Sequence, residues 1–134
     1  MIFLDSGYFI ALFNPNDELH LRAHLWSRRL EEVFVVTEHV ILECVNAFSK
    51  PADRGSARAL VQHVKTHSGY LWIDASPRLF RAGMSLHEDR PDKEWSLTDC
   101  ISFRVMNEHG ITRALAYDRH FEQAGFEALL RRDP

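Results

Sequence analysis

Short apolar runs alternate with longer amphipathic stretches along this chain. Met1-Ile2-Phe3-Leu4 is wholly apolar and is closed by Asp5, the pattern of a strand buried on both faces. Ser6-Gly7 turns the chain into a short helix over Tyr8 to Phe13. Asn14-Pro15-Asn16-Asp17 combines turn chemistry with a helix N-cap, and Leu19 to Glu31 reads as an amphipathic helix burying Ala23, Trp26 and Leu30. Val33 to Val36 is a second strand. Thr37 then caps a helix that turns Val40, Ile41, Cys44, Val45 and Phe48 inward and stops before Pro51.

The alternation continues to the end of the chain. Ala57 to His67 is predicted as a helix closed by Ser68-Gly69, and Tyr70 to Asp74 as a third strand. Ser76 with Pro77 opens a helix to about Glu88. Arg90 to Glu94 is a polar loop, and Thr98 is expected to cap a helix from Asp99 to about His109, ended by Gly110. Ala114 to Tyr117 is a fourth strand ending at Asp118. A short helix over 119–124 leads through Gly125 to a last strand, Phe126 to Leu130. Strands alternating with helices across short connections predict an α/β fold, a three-layer α/β/α arrangement with a central parallel sheet of about five strands. Ligands bind such sheets beyond the carboxyl ends of the strands, where Asp5, Asp74 and Asp118 fall.

Composition narrows the class. With 134 residues, 46% hydrophobic and 26% charged, the chain is expected to be one domain spanning 1–134 with a real core. No stretch approaches the roughly 20 apolar residues of a membrane helix, and the start lacks a basic leader, so the expected compartment is the cytoplasm. Cys44 and Cys100 lie in apolar helical patterns and are expected to be reduced core residues. A net charge of −3 is the wrong sign for a protein that coats nucleic acid by bulk electrostatics. Acids concentrated at one point and neutralised by metal would still leave surrounding arginines to face phosphates.

The candidate chemistry lies in Asp5, Glu43, Asp99 and Asp118. A doubly wound sheet can bring all four to one edge, where two carboxylates 4 Å apart repel by about 4 kcal/mol at an effective dielectric near 20. Such a cluster persists if cations neutralise it or if some acids stay protonated. Hard cations such as Mg2+ or Mn2+ suit it, and a bound metal activates water and stabilises charge on a phosphodiester. Each acid also has an ordinary reading: Asp99 as a helix cap, Asp118 as a strand-end turn residue, Glu43 as a solvated helix residue. Asp5 is the hardest to explain that way, because it ends a wholly apolar strand.

At this point the chain resembles the PIN-domain family, in particular VapC-type toxins and their solitary relatives. Phe3-Leu4-Asp5-Ser6-Gly7 resembles the family's first acidic motif, and Asn16-Asp17-Glu18-Leu19-His20 with Ala23 the segment that follows it. Thr37-Glu38-His39-Val40-Ile41-Leu42-Glu43 with Asn46-Ala47-Phe48 resembles the second motif. Trp95-Ser96-Leu97-Thr98-Asp99-Cys100 resembles the third, and Ala116-Tyr117-Asp118-Arg119-His120-Phe121 with Ala124-Gly125-Phe126 the fourth. The resemblance implies a PIN-like fold and a metal-dependent endoribonuclease that hydrolyses RNA phosphodiester bonds, the toxin of a toxin–antitoxin pair. It implies Mg2+ or Mn2+ on the four acids, inhibition by a small antitoxin protein, and a homodimer. Ser6 and Thr98 would orient an acid or a water of the cation's shell, with plain capping as the alternative. Asp92 is a weaker supporting candidate, and Arg119 the best-placed phosphate contact.

Two positions depart from the family pattern. Ala116 stands where relatives often carry a hydroxyl, and Tyr117 is bulky; it is expected to pack against the sheet, with base stacking as its alternative. The pairs His20/His24 and His63/His67 have zinc-compatible spacing but no third ligand, so they read as helix surface. Arg78, Arg81, Arg104 and Arg113 are further phosphate candidates, equally readable as surface charge. A receiver domain would need a late-strand lysine, and a haloacid-dehalogenase-type phosphatase an Asp-x-Asp after the first strand; neither is present. The remaining alternative is a catalytically silent PIN-fold module acting through protein or RNA contacts.

Overall fold

Three apolar side chains fully withdrawn from solvent, Ile2, Phe3 and Leu4, form the strand around which everything else is arranged. In the computed structural model, which describes residues 1–134, this strand β1 (Ile2–Leu4) is the middle of a five-stranded sheet. The others are β2 (Phe34–Thr37), β3 (Tyr70–Ile73), β4 (Arg113–Leu115) and β5 (Glu127–Ala128), in the order β3-β2-β1-β4-β5 with every pair parallel. Phe3 pairs with Val35 on one side and Ala114 on the other. A central parallel strand has no wet face, which is why its sequence carries no alternation.

Seven helices link the strands: α1 (Ser6–Phe13), α2 (His20–Arg29), α3 (Glu38–Ala47), α4 (Arg54–Thr66), α5 (Pro77–Asp89), α6 (Leu97–Glu108) and α7 (Arg119–Gln123). The chain moves one way across the sheet from β1 to β3 and the other way from β4 to β5. Right-handed crossovers therefore put α1 to α4 on one face and α5 to α7 on the other. Contacts largely follow this division, since α1 meets α2, α3 and α4 while α6 meets α5 and α7, and α3 and α6 also touch. Helices α5 and α6 approach closely at Gly83. A Cβ on Gly83 would lie 2.4 Å from Cγ1 of Ile101, so only glycine admits α6 at that distance.

Most element boundaries follow the sequence pattern, and the exceptions have local causes. The Thr37 hydroxyl accepts from Val40 N at 3.1 Å, as expected of an N-cap. Thr98, however, does not cap α6. Ser96 does: its hydroxyl accepts from Asp99 N at 3.0 Å, and the Asp99 carboxylate accepts from Ser96 N at 3.2 Å. This reciprocal capping box starts the helix two residues earlier than the Thr98–Asp99 reading. Helices α6 and α7 both end in Schellman turns on Gly110 and Gly125, at φ +64° and +92°, as Ile111 N donates to Met106 O and Phe126 N to Phe121 O. The last strand is shorter than the apolar run predicts. Leu129 and Leu130 stay buried, but they lie in a 3-10 turn (Leu129–Arg131) tied to β4's extension by Leu130 N donating to Ala116 O at 3.1 Å.

Candidate functional site

Between β1 and β4 the strand order reverses direction, and the loops leaving the two strands part to open a crevice. Asp5 leaves β1 there, its N–H donating to Leu115 O at 3.3 Å, and Asp118 follows the end of β4 on the opposite wall. The resulting cleft, about 770 Å³, is lined by Asp5, Ser6, Tyr117, Asp118, Arg119 and His120 among others. Asp99, in the first turn of α6, does not line the cleft itself but is hydrogen-bonded to the lining residue His120 at 2.9 Å, and Glu43, within α3, does not line it either.

The electrostatics show how close these acids are. Asp5 is only 9% exposed, and burial pushes its carboxyl up to about 7. Repulsion from Asp99, Glu43 and Asp118 adds to the rise, while a hydrogen bond with the Ser6 backbone opposes it. Burial also raises Glu43, reinforced by Asp99 and opposed by a hydrogen bond from the Ser6 side chain. Asp5, not Ser6, stands at the N-cap of α1, and no side chain caps that helix. All four carboxylates belong to one electrostatic unit in which Asp5 carries the largest penalty.

The sequence reading missed His120. Its Nδ1 lies 2.9 Å from Asp99 Oδ2 and 3.3 Å from Asp118 Oδ1, and its backbone N–H donates to Asp118 Oδ1 at 3.0 Å. Asp99, Asp118 and His120 each offer one ligand atom within 4.8 Å of the others. A signal was present: Asp118-x-His120 at a helix start folds the ring back over its own capping acid. The same contacts bear on Ala116, which is fully buried and supplies no hydroxyl. His120 provides the polar neighbour of Asp118 from the following turn.

Other expectations need correcting. Asp92 lies in the exposed loop, held by Arg90 at 3.0 Å through both carboxylate oxygens, and does not line the cleft. Thr98 makes no hydrogen bond to any of the acids and does not line the cleft either. Arg119 does line it. Arg78 is committed to Glu108, Arg104 to Ala82 O and Arg113 to Glu32, because each meets a partner on a neighbouring element. Tyr117 does not pack against the sheet: it is 47% exposed, and the Arg131 guanidinium lies 5.0 Å from its ring centroid. Asp74 is exposed beyond β3, outside the cleft. His20 Nδ1 donates to Ala11 O at 2.7 Å, joining α2 to α1, and His63 meets the Tyr70 hydroxyl. Both cysteines are free and buried.

A family model of the PIN domain matches residues 2–127. The chain belongs to the PIN domain family. Among curated proteins, it is 34% identical to the 23S rRNA-specific endonuclease VapC20 of Mycobacterium tuberculosis, over 94% of this chain and 95% of that protein. Among solved structures, it is similar to the crystal structure of M. tuberculosis VapC20, described as a Sarcin-Ricin loop cleaving toxin, with TM-score 0.87 and 25% identity. That match covers 94% of this chain and 96% of the other. FitAcB from Neisseria gonorrhoeae shares the PIN fold at TM-score 0.67 and 16% identity, covering 96% of each chain. The expected five-stranded parallel α/β/α architecture is therefore both what the chain forms and what its family forms.

Proposed function

We propose that this PIN domain is a divalent-metal-dependent endoribonuclease and the toxin of a toxin–antitoxin pair. The observation that supports this most is the gathering of Asp5, Asp99, Asp118 and His120 at the switch point, with Asp5 driven to about 7 by burial and like charge. A set of oxygen donors with one imidazole nitrogen fits Mg2+ or Mn2+, and a cation there would offset the burial and the like charge that raise Asp5. Asp5, Asp99 and Asp118 would hold it, with His120 as a further ligand or as the group orienting both acids, and Glu43 beneath them. When bound, such a cation lowers the pKa of water and stabilises charge on a phosphodiester under attack.

The chain's own residues do the rest. Ser6 steadies Glu43, the Ser96 capping box aims Asp99, and Arg119 is the phosphate contact at the cleft rim. Ribosomal RNA is the first substrate to assay, by likeness to VapC20. The reading extends to a small antitoxin protein and to a homodimer; exposed Leu21 and Leu25 on α2 and Phe80 on α5 offer apolar surface for such contacts. No helix is long and apolar enough to cross a membrane, and the cytoplasm is the proposed compartment.

The test pairs unfolding with cleavage. Mn2+ or Mg2+ at about 100 times its dissociation constant should add about 2.7 kcal/mol, raising Tm by several degrees over a chelated sample. Asp99→Asn should abolish that rise and RNA cleavage together. Cleavage that persists in chelator, or in Asp99→Asn, would overturn the metal-centre reading.

A further inference from the structure

The cleft has a second wall that the acids do not account for. Tyr117 directly precedes Asp118 in the chain, so its ring is fixed beside the acids, and it lines the cleft while remaining nearly half exposed. The ring is not loose. Arg131 lies against it at 5.0 Å, donates from Nη1 to Tyr117 O at 2.9 Å, and pairs through Nε with Glu122 at 2.6 Å. The strap carrying Arg131 is itself tied down where Leu130 N donates to Ala116 O. Backbone, cation and carboxylate together hold an aromatic ring at the mouth of the cleft. Arg119, one residue beyond Asp118 and exposed, has no ion-pair partner.

We infer that Tyr117, backed by Arg131, is the platform on which one unpaired base of the substrate stacks, with Arg119 meeting the adjoining phosphate; this rests on the ribonuclease reading above. Three physical points lead there. Every base has a π face, and aromatic rings beside a backbone track bind single strands by stacking. A net charge of −3 leaves little bulk attraction for RNA, so local stacking and single arginines must hold the strand. A cation on a ring face also stiffens the platform and lowers the entropy lost when a base lands on it. A base inside a duplex has no free face, so the nucleotide at this position must be unpaired. Tyr117 would thus select the strand state and the register of the cut.

The experiment measures cleavage of single-stranded and hairpin RNA oligonucleotides with Mn2+ by wild type, Tyr117→Ala, Tyr117→Leu and Tyr117→Trp, each checked for wild-type unfolding. Tyr117→Ala should raise KM about 5- to 150-fold with a smaller change in kcat, the range of one base–aromatic stack. Tyr117→Trp should recover most of that loss, whereas Tyr117→Leu, with similar bulk but no π face, should not; it also carries the test should the alanine variant fold poorly. A single abasic site moved along the substrate should then erase the difference between wild type and Tyr117→Ala at one position alone. Equal cleavage by all variants, or a Tyr117→Ala penalty unchanged on every abasic substrate, would overturn the stacking role while leaving the ribonuclease reading intact. A wild-type protein that cuts no RNA under any divalent cation would overturn both.

Discussion

The two ends of the sheet differ in how well their polar groups are satisfied. At the amino ends of the strands, a cleft of about 560 Å³ is lined by Tyr8, Phe13, Phe34, His63 and Tyr70. There the aromatic rings meet edge to face or tilted at 5.3–6.5 Å, and His63 Nε2 lies 3.1 Å from the Tyr70 hydroxyl. Polar groups at this end are paired, His63 with the Tyr70 hydroxyl and Glu32 with Arg113. At the carboxyl ends Asp5 and Asp118 line one cleft, Asp99 and Glu43 are near enough to repel Asp5, and burial with this like charge pushes the Asp5 carboxyl up to about 7. One end of the sheet satisfies its own groups; the other is left dependent on something else. Cores expel unpaired charge unless it has a use, so the contrast marks the carboxyl end as the working one.

Substitutions at each end should expose this asymmetry. The largest effect is expected from Asp5→Asn, which should reduce RNA cleavage by about a thousandfold or more, the upper range for removing one preorganised charge-stabilising group. Cleavage assayed at saturating Mn2+ checks it. The same variant should be more stable than wild type without metal. Because the folded pKa of Asp5, about 7, lies above its ordinary 3.8, the metal-free fold loses stability as pH rises from about 4 through 7. Denaturant unfolding in chelator should therefore favour Asp5→Asn by on the order of 4 kcal/mol at pH 8, with the gap closing near pH 4. A constant gap across that window would mean that charge is not the source.

Ser96→Ala comes next, with an expected loss of about 1 kcal/mol from the α6 cap in urea unfolding. Metal-induced stabilisation should survive, since His120 still holds Asp99. The smallest effect belongs to the amino end. Tyr70→Phe removes an exposed hydrogen bond worth below about 1 kcal/mol and should leave cleavage unchanged. A large activity loss there would undo the division between the two ends.

Strands and most helices could be read from the chain because burial on both faces leaves unbroken apolar runs such as Ile2-Phe3-Leu4, and because Thr37 and Ser76 cap where hydroxyls normally do. The start of α6 was misplaced at Thr98 although Ser96-Leu97-Thr98-Asp99 has the Ser-x-x-acid spacing of a capping box, a signal that went unread. The acids could be named individually. Their convergence depends on β1 and β4 being neighbours, which only the topology decides. His120 and Arg131 escaped notice for a related reason: each acquires its meaning from partners that the fold supplies, Asp99 for one and Tyr117 for the other. Tyr117 was misjudged because it continues an apolar run although the strand has already ended at Leu115.

The placement of β1 beside β4 also sets a timetable. Strand β1 is made well before β4 and must wait for it before its second edge is covered, so Asp5 cannot meet Asp118 until β4 has been made. Long-range pairing of this kind is slow and closes late in folding. A growing chain therefore carries Asp5 long before Asp118, and the cleft between them cannot assemble until β4 has joined β1.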